Sequence, residues 1–535
     1  EPFVLDTWHN SGASPYAAFT DTERSQLVPV DFLTEGIDQT RGWAYSLLIE
    51  NVLLVGAAQA PYKKFLFQGH VLDAHGNKMS KSLGNMVDGF VALEENSVDA
   101  LRFYFLWKSS PLENLNFSDK EVQSRPYQVL STLYHLHVYF KQNSDYDAYS
   151  SDSTVEWALS RELLKPPDRW LLSVLQTLIG VVENSYANCH FHEALRAIET
   201  FIIDHVSQTY VPFIRGEMWD DRQETIERRW AIYAVLRQAL GTVDILLHPA
   251  SPFLTDYLQK ACFQRELSLL GSWPEVQARY ADKEIEQDFV LMSKLKSLSN
   301  AARMKAGAKR RWPLHKVIFA IEKQSDRDRM ALHLDLLKDQ LNVKEVLFSK
   351  NLKGEPIKLK ANVQFDQVGP RVKGDMSLLL REVEKMDAFE LREQARLGNS
   401  ISVTTGQRKH KIGPSELSFS SEPEDGYAII EKDDLVCLLN VQRDRILISE
   451  GLARDLARRL QSLRKEQGFN PTEILARALV AGLDEEMLDL LSNQRSVLSQ
   501  LVRVKEVVFV QREAVSDKSW NQIELDGHVL ECLVE

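Results

Sequence analysis

The sequence predicts three structural classes in succession: an α/β unit, an all-α stretch and a mixed α+β region. Three observations predict them. The apolar run from Lys64 to Leu72 reads as a buried strand behind a helix-like segment, Gln39 to Gly56. Further on, Pro167 to Ser185, Phe191 to Pro212 and Glu224 to His248 carry apolar residues three and four apart, punctuated by Pro and Gly. Beyond residue 312, strand-like and helix-like runs alternate, and one strand occurs twice. The parts are residues 1–117, 118–312 and 313–535.

In the first part the Lys64–Leu72 strand runs into Gly76-Asn77-Lys78-Met79-Ser80-Lys81-Ser82-Leu83-Gly84-Asn85. Two lysines three residues apart, set between glycines, make a cationic loop. Such a loop can neutralise charge that builds up on a polyphosphate as pyrophosphate leaves. The end of a strand is also where α/β sheets bind nucleotides. A helix-like run, Ser97 to Lys108, closes the unit.

The second part reads as helices with Trp170, Leu171, Val174, Leu175, Leu178 and Val182 on a core face. Trp219, Trp230 and Tyr233 are expected in that core and not on a base-stacking surface. In the third part Val343-Lys344-Glu345-Val346-Leu347-Phe348 recurs as Val504-Lys505-Glu506-Val507-Val508-Phe509. The same offset aligns Arg303 with Arg464, Gly307 with Gly468, and Val317–Ala320 with Ala478–Ala481. The expected unit is helix, Gly stop, strand, acidic helix, strand, present twice. Between the copies, about residues 350–450, Ile401-Ser402-Val403-Thr404 and the turn signals Gly406 and Gly413-Pro414 predict strands.

Composition narrows the class. Hydrophobic residues at 44% and charged residues at 26% are ordinary for a globular protein. No apolar run approaches the roughly 20 residues of a membrane span. Cys189, Cys262, Cys437 and Cys532 form no Cys-x-x-Cys pair, so neither a zinc site nor a disulfide framework is suggested, and a reducing cytoplasm is the expected setting. The net charge of −12 argues against indiscriminate nucleic-acid binding. Locally, however, residues 300–320 hold six cations (Arg303, Lys305, Lys309, Arg310, Arg311 and Lys316) and no acid, a candidate contact for an RNA backbone.

Three segments carry a resemblance to a known family. Gly69 to Asn85 is similar to the second signature of class I aminoacyl-tRNA synthetases. Glu35-Gly36-Ile37-Asp38-Gln39-Thr40-Arg41-Gly42-Trp43 resembles the isoleucyl branch in particular. Asp6-Thr7-Trp8-His9-Asn10-Ser11-Gly12 resembles that branch's Trp-Phe-Asp-Ser-Gly segment, with His9 and Asn10 departing from it. Weaker matches at Arg310–Pro313 and Glu450–Arg454 extend the likeness over nearly the whole chain.

The resemblance implies the second half of a Rossmann-type catalytic domain over 1–117. A helical-bundle anticodon-binding domain follows over 118–312, then a mixed α+β C-terminal region over 313–535. It implies ATP-dependent activation of L-isoleucine and its transfer to tRNA(Ile). Lys81 and Lys78 would contact the phosphates, with Ser80 shaping the loop; Asp38, Gln39 and Gly36 would complete the ATP site. Glu35 would meet the aminoacyl-adenylate, and Trp43 and Trp8 would wall the isoleucine side chain. Arg303, Lys305, Lys309, Arg310 and Arg311 would contact tRNA. ATP would arrive with Mg2+; no membrane partner is implied. No His-x-Gly-His occurs anywhere in the sequence, and the editing insertion is not recognisable. The expectation is therefore a C-terminal portion of a longer synthetase, inactive by itself for lack of its N-terminal half. The alternatives are a non-catalytic tRNA-binding relic and a valyl or leucyl enzyme. Asp38-Gln39 and Trp43 speak against the latter.

Overall fold

A computed structural model describes all residues except 1–5, 57–58, 221, 266, 471 and 512–519. The chain divides into two compact units, Glu1–Glu286 and Gln287–Glu535.

The first unit opens with the predicted α/β segment. Strand Leu33–Gly36 lies parallel to Phe65–Gln68, in a register that places Glu35 opposite Phe67 and Gly36 opposite Gln68. The expected single strand Lys64–Leu72 is two strands, Phe65–Gln68 and Val71–Leu72. The chain changes partners between them. The Gly69 N–H donates to the Pro111 carbonyl at 3.0 Å and the His70 N–H to Asn114 Oδ1 at 2.9 Å. Val71–Leu72 then pairs with Leu115–Asn116. Only glycine fits at 69, because a Cβ there would lie 2.2 Å from the Glu113 carbonyl oxygen. The helix expected from Gln39 starts as a 3-10 turn, Ile37–Arg41, breaks at Gly42, and continues as the α-helix Trp43–Val55. Val98–Trp107 is the predicted closing helix. Ser97 is its N-cap, accepting the Ala100 N–H on its side chain.

The helices of the second part form where the periodicity places them: Pro166–Ala187, Phe191–Thr200 and Ile226–Leu247, joined by Arg125–Tyr146 and Pro252–Phe263. One stretch departs from the expectation. Phe201–Tyr210 is a π-helix between Phe191–Thr200 and Val211–Met218. Contrary to the expectation that no apolar run approaches a membrane span, Gln223–Leu247 is long and apolar enough by composition to cross one. In the fold it is a core helix: Ile232, Tyr233, Val235, Leu236, Leu240 and Val243 are all buried. Tyr233 thus lies in the core as expected, and Trp219 and Trp230 are half-buried.

The second unit contains one module twice. Strand Leu314–Ala320, helices Gln324–Ala331 and Leu334–Leu341, and strand Val343–Ser349 make the first copy. Leu475–Ala481, Glu485–Ser492, Arg495–Val502 and Val504–Val510 repeat them, every boundary shifted by the 161 positions that separate Arg303 from Arg464. The strand pair is parallel in both, with Leu314 opposite Val343 and Leu475 opposite Val504. An antiparallel hairpin completes each four-stranded sheet: Tyr427–Lys432 with Leu435–Asn440, and Asn521–Leu525 with His528–Val534.

Two details differ from the sequence expectation. The acidic helix is a pair of short helices in each copy. The intervening segment is also shorter than residues 350–450. Residues 427–440 belong to the first copy's sheet, and helix Arg445–Glu466 packs onto the second copy through Leu452, Leu456, Leu460 and Leu463. What remains is an insertion with its own small core, including Val368, Leu379, Val403, Ile412 and Leu417. Strand Ile357–Val363 pairs with Leu417–Pro423, and Ile401–Thr405 pairs with Arg408–Ile412.

Candidate active site

The candidate site lies in the first unit, where Leu33–Gly36 and Phe65–Gln68 end side by side. Glu35 stands exposed near the end of its strand and Gly36 is half-exposed. Directly after them, Asp38 Oδ2 accepts the Gln39 side-chain amide at 2.9 Å. Gln39 Oε1 in turn accepts the Trp43 N–H at 3.4 Å. The indole N–H of Trp43 donates to the Ser11 carbonyl at 3.0 Å, which ties the helix to the N-terminal segment that carries Trp8. Trp8 lies over Gly42, where a Cβ would come within 3.3 Å of the indole. The ring of Trp43 meets Phe65 edge-on at 6.2 Å. Trp8, Gly42, Gln39 and Trp43 are therefore one cluster. Trp8 is 43% exposed and Trp43 is half-buried, so aromatic surface remains open there.

The lysine loop follows the second strand. Asp73–Asn77 makes a tight turn closed by Asp73 N–H to Asn77 carbonyl (2.9 Å) and Gly76 N–H to Asp73 carbonyl (3.0 Å). A bridge between Leu72 and Lys78 continues it. Ser80 then caps a 3-10 turn, Lys81–Leu83, which Gly84 ends in the left-handed region. Ser80 and Ser82 hydroxyls lie 3.2 Å apart, and Ser80 Oγ accepts the Leu83 N–H at 3.3 Å. Lys78 and Lys81 are exposed, and neither ammonium makes an ion pair among the described residues. Two uncommitted cations on a folded loop suit an anionic ligand.

Sequence reasoning gave Ser80 a part in shaping this loop but no role to Asp73 and Asn85, which also hold it. Asp73 Oδ1 accepts the N–H groups of His75 (2.9 Å) and Asn77 (2.8 Å), and its Oδ2 accepts the Asn85 side-chain amide at 2.9 Å. These partners, the Asn85 amide first, hold the Asp73 carboxyl at about 2, well below its ordinary 3.8. A twelve-residue separation carries no periodic signal, so the pair could not be read from the chain.

The basic segment after residue 300 is corrected in part. Arg303 is 1% exposed and cannot reach RNA. Its guanidinium donates to the carbonyls of Trp312 (2.8 Å), Leu341 and Asn342 (2.9 Å each) and Lys309 (3.4 Å). Arg464 donates to Asn470, Glu473, Val502 and Arg503, the same four positions one repeat later. Burial pushes the Arg303 guanidinium down to about 10, which leaves it charged at neutral pH. Lys309 is paired with Asp526 at 2.9 Å and lies over the Trp312 ring, and Lys305 donates to the Ile429 carbonyl at 3.2 Å. Arg310 and Arg311 are exposed. Arg310 donates to Asn300 Oδ1, and Arg311 makes no hydrogen bond or ion pair among the described residues.

Residues 1–118 match the family of tRNA synthetases class I (I, L, M and V), and residues 168–318 match the anticodon-binding domain of tRNA ligases. By these matches the chain is similar to the class I tRNA synthetases. Within that class its curated relatives are isoleucine–tRNA ligases. The one from Methanosarcina barkeri is 28% identical over 94% of this chain and 48% of its own length. Those from Porphyromonas gingivalis and Bacteroides thetaiotaomicron are 29% and 30% identical over 99% and 88% of this chain, and over 46% and 41% of their own lengths. The chain thus spans about half the length of the curated relatives it matches.

Proposed function

We propose that this chain is the part of an isoleucine–tRNA ligase that carries one side of the active site and the RNA-binding domains. Residues 1–117 would form the second half of the catalytic domain, 118–312 the anticodon-binding domain, and 313–535 a duplicated C-terminal region in the same cytoplasmic enzyme. The observation that carries the reading is the lysine loop, folded and with no ion pair among the described residues, directly after strand Val71–Leu72.

The reaction needs no protein nucleophile. The isoleucine carboxylate attacks the α-phosphate of ATP and pyrophosphate leaves; a tRNA ribose hydroxyl then attacks the mixed anhydride. Both steps depend on positioning and on charge neutralisation. Lys81 and Lys78 would follow the departing pyrophosphate as hydrated ammonium groups on flexible stems. Glu35, acceptor-only when ionised, would take hydrogen bonds from the substrate ammonium. Asp38 and Gln39 would bond ribose hydroxyls, and Gly36 would allow close backbone approach. Trp8 and Trp43 would hold an aliphatic side chain that offers only shape. Isoleucine against valine is itself the standard case in which one methylene is worth only ~1–3 kcal/mol. Magnesium would enter this scheme with the nucleotide substrate.

The test is amino-acid-dependent ATP–pyrophosphate exchange by the protein that joins this chain to a His-x-Gly-His half. Exchange that follows isoleucine before valine, leucine and methionine supports the reading. Exchange that follows leucine or methionine, or none at all, refutes it.

A further inference from the structure

The lysines themselves are uncommitted, yet the backbone that presents them is held at several points by two side chains. One amide makes three of those contacts. Asn85 Nδ2 donates to Asp73 Oδ2 (2.9 Å) and to the Lys78 carbonyl (3.2 Å), and Asn85 Oδ1 accepts the Ser80 N–H (3.0 Å). Asp73 gathers the Asn77 and His75 N–H groups on its other oxygen. Residue 73 stands before the loop and residue 85 after it. Their contacts fall on Asn77, Lys78 and Ser80, on both sides of the first lysine and next to the second. The hydrogen-bonding inventory allows few substitutes. Position 73 needs two acceptor oxygens, and position 85 needs two donors and one acceptor on a short side chain.

We propose that Asp73 and Asn85 are positioning residues. Their side chains clasp the two ends of the lysine loop and hold Lys78 and Lys81 where they meet the departing pyrophosphate. The inference rests on the synthetase reading above but makes a separate claim. The clasp acts on the activation step and not on amino-acid binding, because its contacts reach the lysine backbone and not the Glu35–Trp43 cluster. Each ammonium sits at the end of a long flexible stem, so a shift of its Cα changes the span it must cover. Fixing the backbone beforehand removes that reorganisation from the transition state.

Asn85→Asp keeps size and removes both donors, setting a carboxylate against the Asp73 carboxylate and the Lys78 carbonyl. Asp73→Asn keeps size and turns an amide edge toward the Asn85 amide. The double exchange, Asp73→Asn with Asn85→Asp, restores the 73–85 hydrogen bond with the donor on the other side.

In the protein that joins this chain to a His-x-Gly-His half, each single variant should lower kcat for isoleucine-dependent ATP–pyrophosphate exchange by about tenfold or more, with KM for isoleucine within about twofold of wild type. The double exchange should recover part of kcat, because it restores the 73–85 bond but not the bond to the Lys78 carbonyl. In the present chain alone, trypsin should cut after Lys78 and Lys81 faster in both single variants than in wild type and in the double exchange, with melting temperatures only slightly lowered. Wild-type kcat in Asn85→Asp overturns the inference and leaves the synthetase reading standing. So does a fall in kcat matched by a rise in KM and a markedly lower melting temperature with no recovery in the double exchange. So do equal rates of tryptic cleavage. No exchange by the wild-type protein overturns the synthetase reading, and the positioning role with it.

Discussion

At Asp73 the chemistry of one carboxylate can be followed without knowing the ligand. Its oxygens accept two backbone N–H groups and one side-chain amide. A carboxyl depressed by folding adds stability above its unfolded value of 3.8 and loses it as pH falls through about 2. The clasp is therefore intact throughout the neutral range. NMR titration should place this carboxyl near 2 in wild type and closer to the ordinary value in Asn85→Ala; an unchanged midpoint would show that Asn85 does not hold it. The lysines should behave differently. Lys81→Ala should lower kcat for activation by on the order of 10² or more, with a smaller change in isoleucine KM. A loss confined to KM would remove Lys81 from the phosphate site. The sequence made the two lysines, Glu35 and the two tryptophans legible because each lies in a short contiguous motif. It left Asp73 and Asn85 without a role because their bond closes a loop, and nothing local in the chain announces such a closure.

Among the elements, the repeated module rests on a buried arginine used twice. Arg303 and Arg464 each bind four carbonyls, two in the loop before the first parallel strand and two where the second short helix gives way to the second parallel strand. Replacing either by Met leaves those acceptors without their donor, so Arg303→Met and Arg464→Met should each cost roughly 3–5 kcal/mol in denaturant unfolding of this region. Loss of less than about 1 kcal/mol would contradict the hub role. Gly451 offers a second check. A Cβ there would fall 2.6 Å from the Trp312 ring, so Gly451→Ala should destabilise by about 1–3 kcal/mol. The duplication was visible in the chain because strand, helix stop and arginine recur at one offset. The reading of Arg303 as an RNA contact failed for a related reason. A cluster of cations shows charge but not burial, and this cation turns inward to satisfy carbonyls that no side-chain pattern displays. The hairpins that finish both sheets were also hidden, because the 357–423 insertion separates the first copy's hairpin from its partner strands.

For the molecule as a whole, the chain forms two compact units and spans about half the length of the curated relatives it matches. The α/β and helical parts were legible from periodicity and motifs. The π-helical stretch at Phe201–Tyr210 was not, because its sequence reads as ordinary helix. RNA binding can be tested on the present chain. With Arg303 internal and Lys309 paired, Arg310 and Arg311 are the exposed arginines of the segment. Arg310→Gln with Arg311→Gln should weaken tRNA(Ile) binding and lower the slope of log K against log salt by roughly one to two. Unchanged affinity and slope would remove the segment from the RNA surface. The central claim concerns the amino acid and the loop together. Its most direct test is ATP–pyrophosphate exchange by the joined protein, wild type beside Lys81→Ala, with isoleucine, valine, leucine and methionine in turn. Exchange led by isoleucine and cut by on the order of 10² in Lys81→Ala is the predicted result. Exchange led by leucine or methionine, or undiminished in Lys81→Ala, would contradict it.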